Sequence, residues 1–185
     1  LVFNHGAGET GSNLALIYNS STAGGPAYFI EHSGWDTSGY TNPMDGLKYK
    51  FIVISPQRPG GWGWQASQLN YHIKYMIDNY RVDTSRIYTT GISAGGAGVF
   101  GYNIHYDYDA GASVTPFYKP AASVPFAPAN SSPNQTQANV AVADSIRFWG
   151  LGGASDGYGN VLSEMATLMN NTEPGIARVT RYSGG

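Results

Sequence analysis

The stretch TTGISAGG, residues 89–96, constrains the fold more than any other part of the chain. The residues before it, RIY at 86–88, favour a strand, and GGAGVFGYNI at 95–104 can form a helix. Ser93 therefore stands in a tight turn between a strand and a helix, and small neighbours such as Gly91 and Gly95 let that turn close. A G-x-S-x-G motif in this context predicts a nucleophile elbow, with the Ser93 hydroxyl raised clear of the sheet.

Strands and helices alternate along the rest of the chain. Apolar runs predict strands at residues 1–3, 51–54, 86–90, 121–126, 146–151 and 177–182, and helical spacing predicts helices at 65–80 and 161–169. Such alternation predicts a mostly parallel sheet covered by helices on both faces. The segments 106–120 and 127–139 are rich in Pro, Ser, Asn and Tyr, so we predict long loops there, at the strand ends where ligands bind.

Composition narrows the class of protein. The chain has 185 residues, of which 42% are hydrophobic and 12% charged, which predicts a single globular domain over residues 1–185. Its 10 lysines and arginines are scattered and its net charge is −2, so we expect no nucleic-acid partner and no membrane span. The absence of cysteine excludes disulfides and thiolate chemistry. Low charge with many Gly and Tyr favours a secreted or periplasmic location, and the oligomeric state stays open.

A second glycine-rich loop, NHGAGETG at residues 4–11, follows the first predicted strand. Acyl-transfer enzymes need backbone N–H groups that point at the developing oxyanion, and each such donor is worth roughly 2.7–4 kcal/mol. Glycines let the backbone approach a ligand closely. We predict that Ala7 and Gly8 supply donors from this loop and that Ala94, the residue after Ser93, supplies another.

Together these segments resemble one family. The chain resembles α/β-hydrolase serine esterases, a group that includes polyhydroxybutyrate depolymerases, feruloyl and acetylxylan esterases and predicted peptidases. The segments that carry the resemblance are, in chain order, LVFNHGAGETG, FIVISPQ, VDTSRIYTTGISAGG, AASVPFAPA and FWGLGGASDGYGN. The similarity runs from Leu1 to Gly185. It implies the α/β-hydrolase fold, a three-layer α/β/α sandwich, here expected to be incomplete at both ends and to lack its first strands.

The acid and the base follow from the chain order of this family, which is Ser, then Asp or Glu, then His. Asp156 follows the strand predicted at 146–151, whereas its competitor Asp144 precedes that strand and is expected at the wrong end. All four histidines, His5, His32, His72 and His105, precede Asp156.

The ending VTRYSGG resembles the segment before the family's catalytic Gly-His. The base is therefore expected just beyond Gly185, and the one internal substitute we entertain is His32. The family's histidine at the position of His5 is usually structural.

Two tryptophans complete the predicted site. Trp62 and Trp64, in PGGWGWQ, are candidates to stack on a sugar, a phenolic acid or a polymer, and the alternative is that one of them packs beneath the loop. The sequence thus predicts a serine hydrolase acting through an acyl-enzyme on a small-molecule or polymer-linked carboxylic ester, with no cofactor and no metal. A peptidase of the same fold and a catalytically inactive carbohydrate-binding module remain as alternatives.

Overall fold

The structure, a computed structural model, describes residues 1–19, 25–32, 34, 36–61, 63–107, 110–116, 118–129 and 132–183. In chain order its elements are β1 (Val2–Asn4), a 3-10 turn (Ala7–Glu9), α1 (Ala15–Asn19), α2 (Pro26–His32), β2 (Tyr40–Thr41), β3 (Lys48–Tyr49), α3 (Ala66–Asn79), β4 (Tyr88–Ile92), α4 (Ala94–Asn103), β5 (Tyr106–Asp107), β6 (Ala112–Ser113), β7 (Ala122–Phe126), α5 (Gln135–Ala143), β8 (Arg147–Gly153), α6 (Gly159–Thr172) and β9 (Ala177–Tyr182). The short pairs β2–β3 and β5–β6 form separate antiparallel hairpins.

The central sheet has five strands in the order β1-β4-β7-β8-β9, and all neighbours run parallel. This confirms the predicted α/β class with a parallel sheet. Beyond β1, Ile54 adds a parallel bridge to Val2. After β1, the next stretch of chain to join the sheet is Ile54, on the outer side of β1. After β4, the next strand is β7, on the opposite side, so the direction in which strands are added reverses between β1 and β4. Ligands bind preferentially at such a reversal, in the crevice at the carboxyl ends of the strands, so the β1/β4 boundary is the expected site position.

The register explains how the sheet is covered. One row of register partners crosses all five strands, faces α3 to α6 and is buried throughout: Val2, Thr89, Ser123, Phe148 and Ala177. The next row points to the opposite face, where Thr90, Val124 and Trp149 are half-buried. There, Gly25 at the start of α2 packs against the ring of Phe3.

Two apolar clusters join the sheet to its helices. One unites α4, α5, α6 and β8 around Phe100, Phe148 and Leu162, and the other unites β1, α3 and α4 around Trp64 and Leu69. The helix predicted at 65–80 is α3, whose start at Gln65 is fixed by a capping box with Gln68.

Three segments differ from the predictions. The predicted loop 127–139 gives way to α5 from Gln135, because Asn134 and Gln137 form a capping box and Ala138 and Ala141 pack into the core. The predicted strand at 51–54 is reduced to a single bridge at Ile54, on the edge of the sheet. The helices α1 and α2 were not predicted, since their exposed side chains give no clear apolar stripe.

Within the described ranges, we find no helix that is both long enough and apolar enough to cross a membrane.

Candidate active site

Ser93 occupies the turn between β4 and α4 in a strained conformation. Its φ is 54° and its ψ is −117°, a region that non-glycine residues rarely adopt. Ser93 is the N-cap of α4, yet its side chain makes no capping hydrogen bond. The hydroxyl is therefore not used to stabilise its own helix, and the half-buried residue stands at the carboxyl edge of the sheet.

The glycines around Ser93 are required by close backbone approach. A Cβ on Gly95 would lie 2.0 Å from the carbonyl oxygen of Asn4, and one on Gly91 would lie 2.8 Å from the same oxygen. A Cβ on Gly96 would lie 2.5 Å from the carbonyl oxygen of Phe126. The elbow is thus wedged between the ends of β1 and β7, which explains why its neighbours carry no side chains.

The HGAGE loop, residues 5–9, lies directly beside this elbow. A Cβ on Gly6 would lie 3.7 Å from the carbonyl oxygen of Ile92, the last residue of β4. Ala7 and Gly8 then open a 3-10 turn on the surface. The first N–H groups of such a turn have no partner within it and are open to an acceptor, as are the first N–H groups of α4 from Ala94 onward. The N–H groups at the start of two helical segments therefore lie at neighbouring strand ends.

His5 fixes the loop rather than facing solvent. It is 1% exposed, and its Nε2 accepts a hydrogen bond from the backbone N–H of Arg58 at 3.0 Å. Its Nδ1 carries the proton and donates to the carbonyl oxygen of Gly6 at 2.5 Å. Burial lowers the pKa of His5 below its usual value, so the ring is held neutral. This geometry agrees with a structural role for His5.

Two further side chains hold the same loop. The buried Arg58 donates from Nη1 to the carbonyl oxygen of Gly63 at 2.7 Å and from Nη2 to Oγ1 of Thr10 at 3.1 Å. Gln57 donates from Nε2 to the carbonyl oxygens of Glu9 and Asn13, each at 2.9 Å. Neither residue was predicted from the sequence. The one available signal was a lone arginine beside Pro-Gly-Gly in a chain poor in charge.

Asp156 lies at the same edge of the sheet as Ser93. It follows β8 and its Oδ1 accepts from the backbone N–H of Tyr158 at 3.0 Å, while Arg181 donates from Nε to the carbonyl oxygen of Gly153 at 2.9 Å. One strand, β7, separates β8 from β4. The two strand ends are therefore roughly 10 Å apart, a separation that the side chains following them can narrow.

The other histidines lie elsewhere. His32 ends α2, is exposed and stacks on Tyr28 with 4.8 Å between ring centroids. His72 lies on α3, where burial lowers its pKa. His105 follows α4, and its Nε2 lies 2.5 Å from Oδ2 of Asp144. Since α4 runs from the carboxyl edge to the amino edge, the His105–Asp144 pair lies at the opposite edge from Ser93.

The two tryptophans have different outcomes. Trp64 is 4% exposed, and its indole N–H donates to the carbonyl oxygen of His5 at 2.8 Å. A Cβ on Gly98 would lie 2.3 Å from the Cβ of Trp64, so the residue is packed tightly between α4 and the HGAGE loop. Its predicted substrate contact is therefore corrected to a packing role. Trp62 lies outside the described residues.

A large cavity lies away from this site. It measures about 1010 Å³ and lies at the amino ends of β1 and β4, where Ile52, Ile54, Met76 and Tyr88 are among its lining residues. Among the described residues, no cluster of three His, Asp or Glu side chains could hold a metal ion. The carboxyl edge of the sheet, which carries Ser93, the HGAGE loop and Asp156, is the candidate site.

Comparison with family models and with curated proteins found no match to this chain.

Proposed function

We propose that this chain is a serine ester hydrolase with the α/β-hydrolase fold, in which Ser93 attacks the carbonyl carbon of a carboxylic ester. One observation carries the proposal. Ser93 holds φ at 54° in a strand-to-helix turn, with its side chain unused for capping and the HGAGE loop packed against the same turn. Strain of this kind concentrates at functional sites, where the surrounding structure holds it in place.

The strand order supports the proposed fold. An α/β hydrolase combines a serine after one strand with N–H donors from the loop after a neighbouring strand and an acid that comes later in the chain. Here β4 leads to Ser93, its neighbour β1 leads to the HGAGE loop, and β8 leads to Asp156. All three loops leave the sheet at one edge because the strands are parallel.

In the proposed reaction, a histidine takes the proton of Ser93 as Oγ bonds to the ester carbon and the carbonyl electrons move to oxygen. The N–H groups of Ala94 and of Ala7 or Gly8 stabilise that oxyanion. The tetrahedral intermediate then collapses, the alcohol leaves with the proton from the histidine, and water releases the acid from the acyl-enzyme. Asp156 orients the histidine and stabilises its protonated form.

The end of β9 lies beside the Asp156 loop, which is where the proposed mechanism needs the histidine. The carbonyl oxygen of Tyr182, the last residue of β9, accepts from the N–H of Ala154 at 2.7 Å. A residue that follows β9 is therefore delivered beside the Asp156 loop. We propose that the base is a histidine held at this edge of the sheet, beside the Asp156 loop.

The test of the nucleophile is Ser93→Ala in the full-length protein. Hydrolysis of p-nitrophenyl esters should fall to background and labelling by a fluorophosphonate probe should disappear, while thermal unfolding stays near that of the wild type. Ser163→Ala, at an exposed serine on α6, is the matched control and should be labelled normally. Persistent labelling of Ser93→Ala would show that another residue is the nucleophile. Faster cleavage of aminoacyl anilides than of esters would favour a peptidase.

A further inference from the structure

The loop after β7 contains a second strained residue whose place in the fold is informative. Ala127 has a φ of 41°, in the left-handed region that alanine disfavours. It directly follows Phe126, the last residue of β7, and β7 lies between the strand of Ser93 and the strand of Asp156. The proposed reaction assigns no role to this loop.

Hydrogen bonds on both sides of Ala127 hold the backbone of Ser93. The N–H of Ser93 donates to the carbonyl oxygen of Phe126 at 3.0 Å, and the N–H of Ala129 donates to the carbonyl oxygen of Ser93 at 3.3 Å. Both the N–H and the carbonyl oxygen of Ser93 are therefore hydrogen-bonded to this loop. Ala127 lies between the two residues that make these bonds, Phe126 and Ala129.

The same loop is tied to the strand that carries Asp156. The N–H of Ala127 donates to the carbonyl oxygen of Leu151 in β8 at 3.1 Å. The loop also presses on the start of α4, because a Cβ on Gly96 would lie 3.3 Å from Cα of Pro128. One short segment thus contacts the elbow, its helix and the neighbouring acid-bearing strand.

We propose that Ala127 is a positioning residue that sets the place of Ser93 relative to Asp156 through the left-handed turn at residues 126–129. The proposal rests on the proposed function. The hydrogen bonds hold the turn in the left-handed region although alanine disfavours it, and within that region alanine allows fewer conformations than glycine does. Glycine at this position keeps the turn accessible but frees it to adopt others.

The experiment compares Ala127→Gly with Ser145→Gly in the full-length protein. Ser145 has a φ of 58° and lies before β8, at the opposite edge of the sheet, so it is a matched site of backbone strain. Two quantities are measured, the rate of fluorophosphonate labelling and the amide hydrogen exchange of the peptide that covers residues 92–97. Thermal unfolding checks that each variant is folded.

We expect labelling of Ala127→Gly to slow by about fivefold to tenfold, since small displacements of a nucleophile are costly, and the exchange of residues 92–97 to accelerate. Ser145→Gly should change neither. Ala127→Asn should keep both near the wild-type values, because asparagine tolerates the left-handed region.

Wild-type exchange and labelling in a folded Ala127→Gly would overturn the proposal. An unlabelled wild type combined with faster exchange in Ala127→Gly would instead reject the proposed function and leave the positioning role in place.

Discussion

A serine at φ 54° and ψ −117° occupies backbone space that costs of the order of 1–3 kcal/mol to hold. Its neighbours offset that cost, since the N–H groups of Ala97 and Ala129 both donate to the carbonyl oxygen of Ser93. The conformation is also made possible by the glycines beside it. The free energy of the turn is therefore set by residues that take no part in the proposed chemistry.

We expect Gly95→Ala to destabilise the fold severely. The added methyl would lie 2.0 Å from the carbonyl oxygen and 2.5 Å from the carbonyl carbon of Asn4, and neither atom belongs to a flexible side chain. Relief requires β1 and α4 to separate, which should cost about 3 kcal/mol. Urea unfolding monitored by tryptophan fluorescence measures the change.

The matched control for Gly95→Ala is Gly157→Ala. A Cβ on Gly157 meets no atom within 4 Å, so its urea midpoint should stay near that of the wild type. Equal midpoints for Gly95→Ala and the wild type would contradict the packing of β1 against α4.

At the scale of elements, the candidate site depends on hydrogen bonds between two loops, the HGAGE loop with Thr10 and Gly11 and the loop that follows Ile54. The N–H of Gly11 donates to the carbonyl oxygen of Arg58 at 2.9 Å, and the Arg58 side chain reaches back to Thr10 and across to Gly63. Trp64 also holds the HGAGE loop, because its indole N–H donates to the carbonyl oxygen of His5. The HGAGE loop is therefore positioned by the loop that follows Ile54, and not by β1 alone.

We expect Arg58→Met to lower the labelling rate much more than it lowers the stability of the fold. Methionine fills much of the same space without a buried charge, so the loss of stability should be moderate. However, the guanidinium hydrogen bonds to Gly63 and Thr10 disappear and the HGAGE loop becomes less restrained. The rate of fluorophosphonate labelling should therefore fall about tenfold. Labelling rates and thermal unfolding are measured on the same full-length samples.

Arg147→Met provides the control for that comparison. Its side chain is 65% exposed and lies 3.9 Å from Glu173, at the amino end of β8. It should be labelled as fast as the wild type. If Arg58→Met is labelled equally fast, the loop after Ile54 does not position the proposed oxyanion donors.

At the scale of the whole molecule, the two edges of the sheet do different things. The carboxyl edge carries the candidate site, whereas the amino edge carries a polar cluster in which Asp144 contacts both His105 and Lys119. The Asp144 side chain is 5% exposed, so its carboxyl group is shielded from water and relies on these two partners for its contacts. A substitution in this cluster should therefore change the free energy of unfolding without changing the reactivity of Ser93.

We expect Asp144→Asn to lower the free energy of unfolding by about 1–3 kcal/mol, because it removes two charge-assisted contacts at a buried position. Labelling of Ser93 should stay at the wild-type rate. Asp83→Asn, which affects an exposed pair with Arg86, should cost less than about 1 kcal/mol. A drop in labelling caused by Asp144→Asn alone would argue against independent edges.

Much of the candidate site could be predicted from the sequence because its signals are local. A serine between glycines, after a strand and before a helix, has few other conformations available. The residues that hold the site could not be predicted in this way. Arg58 contacts Thr10 across 48 positions, and Phe126 accepts from Ser93 across 33, so neither contact leaves a pattern in adjacent residues.

The sequence by itself determined the five strands of the central sheet, the helices α3, α4 and α6, the elbow at Ser93 and the glycine-rich loop at 4–11. These features depend on periodicity and on backbone freedom, which are properties of neighbouring residues. Only the tertiary structure decided that Trp64 is buried, that α5 forms at Gln135 and that α3 to α6 share one face of the sheet. Those outcomes depend on which distant surfaces pack together, because burial and long-range hydrogen bonds are decided by partners that are remote in the chain.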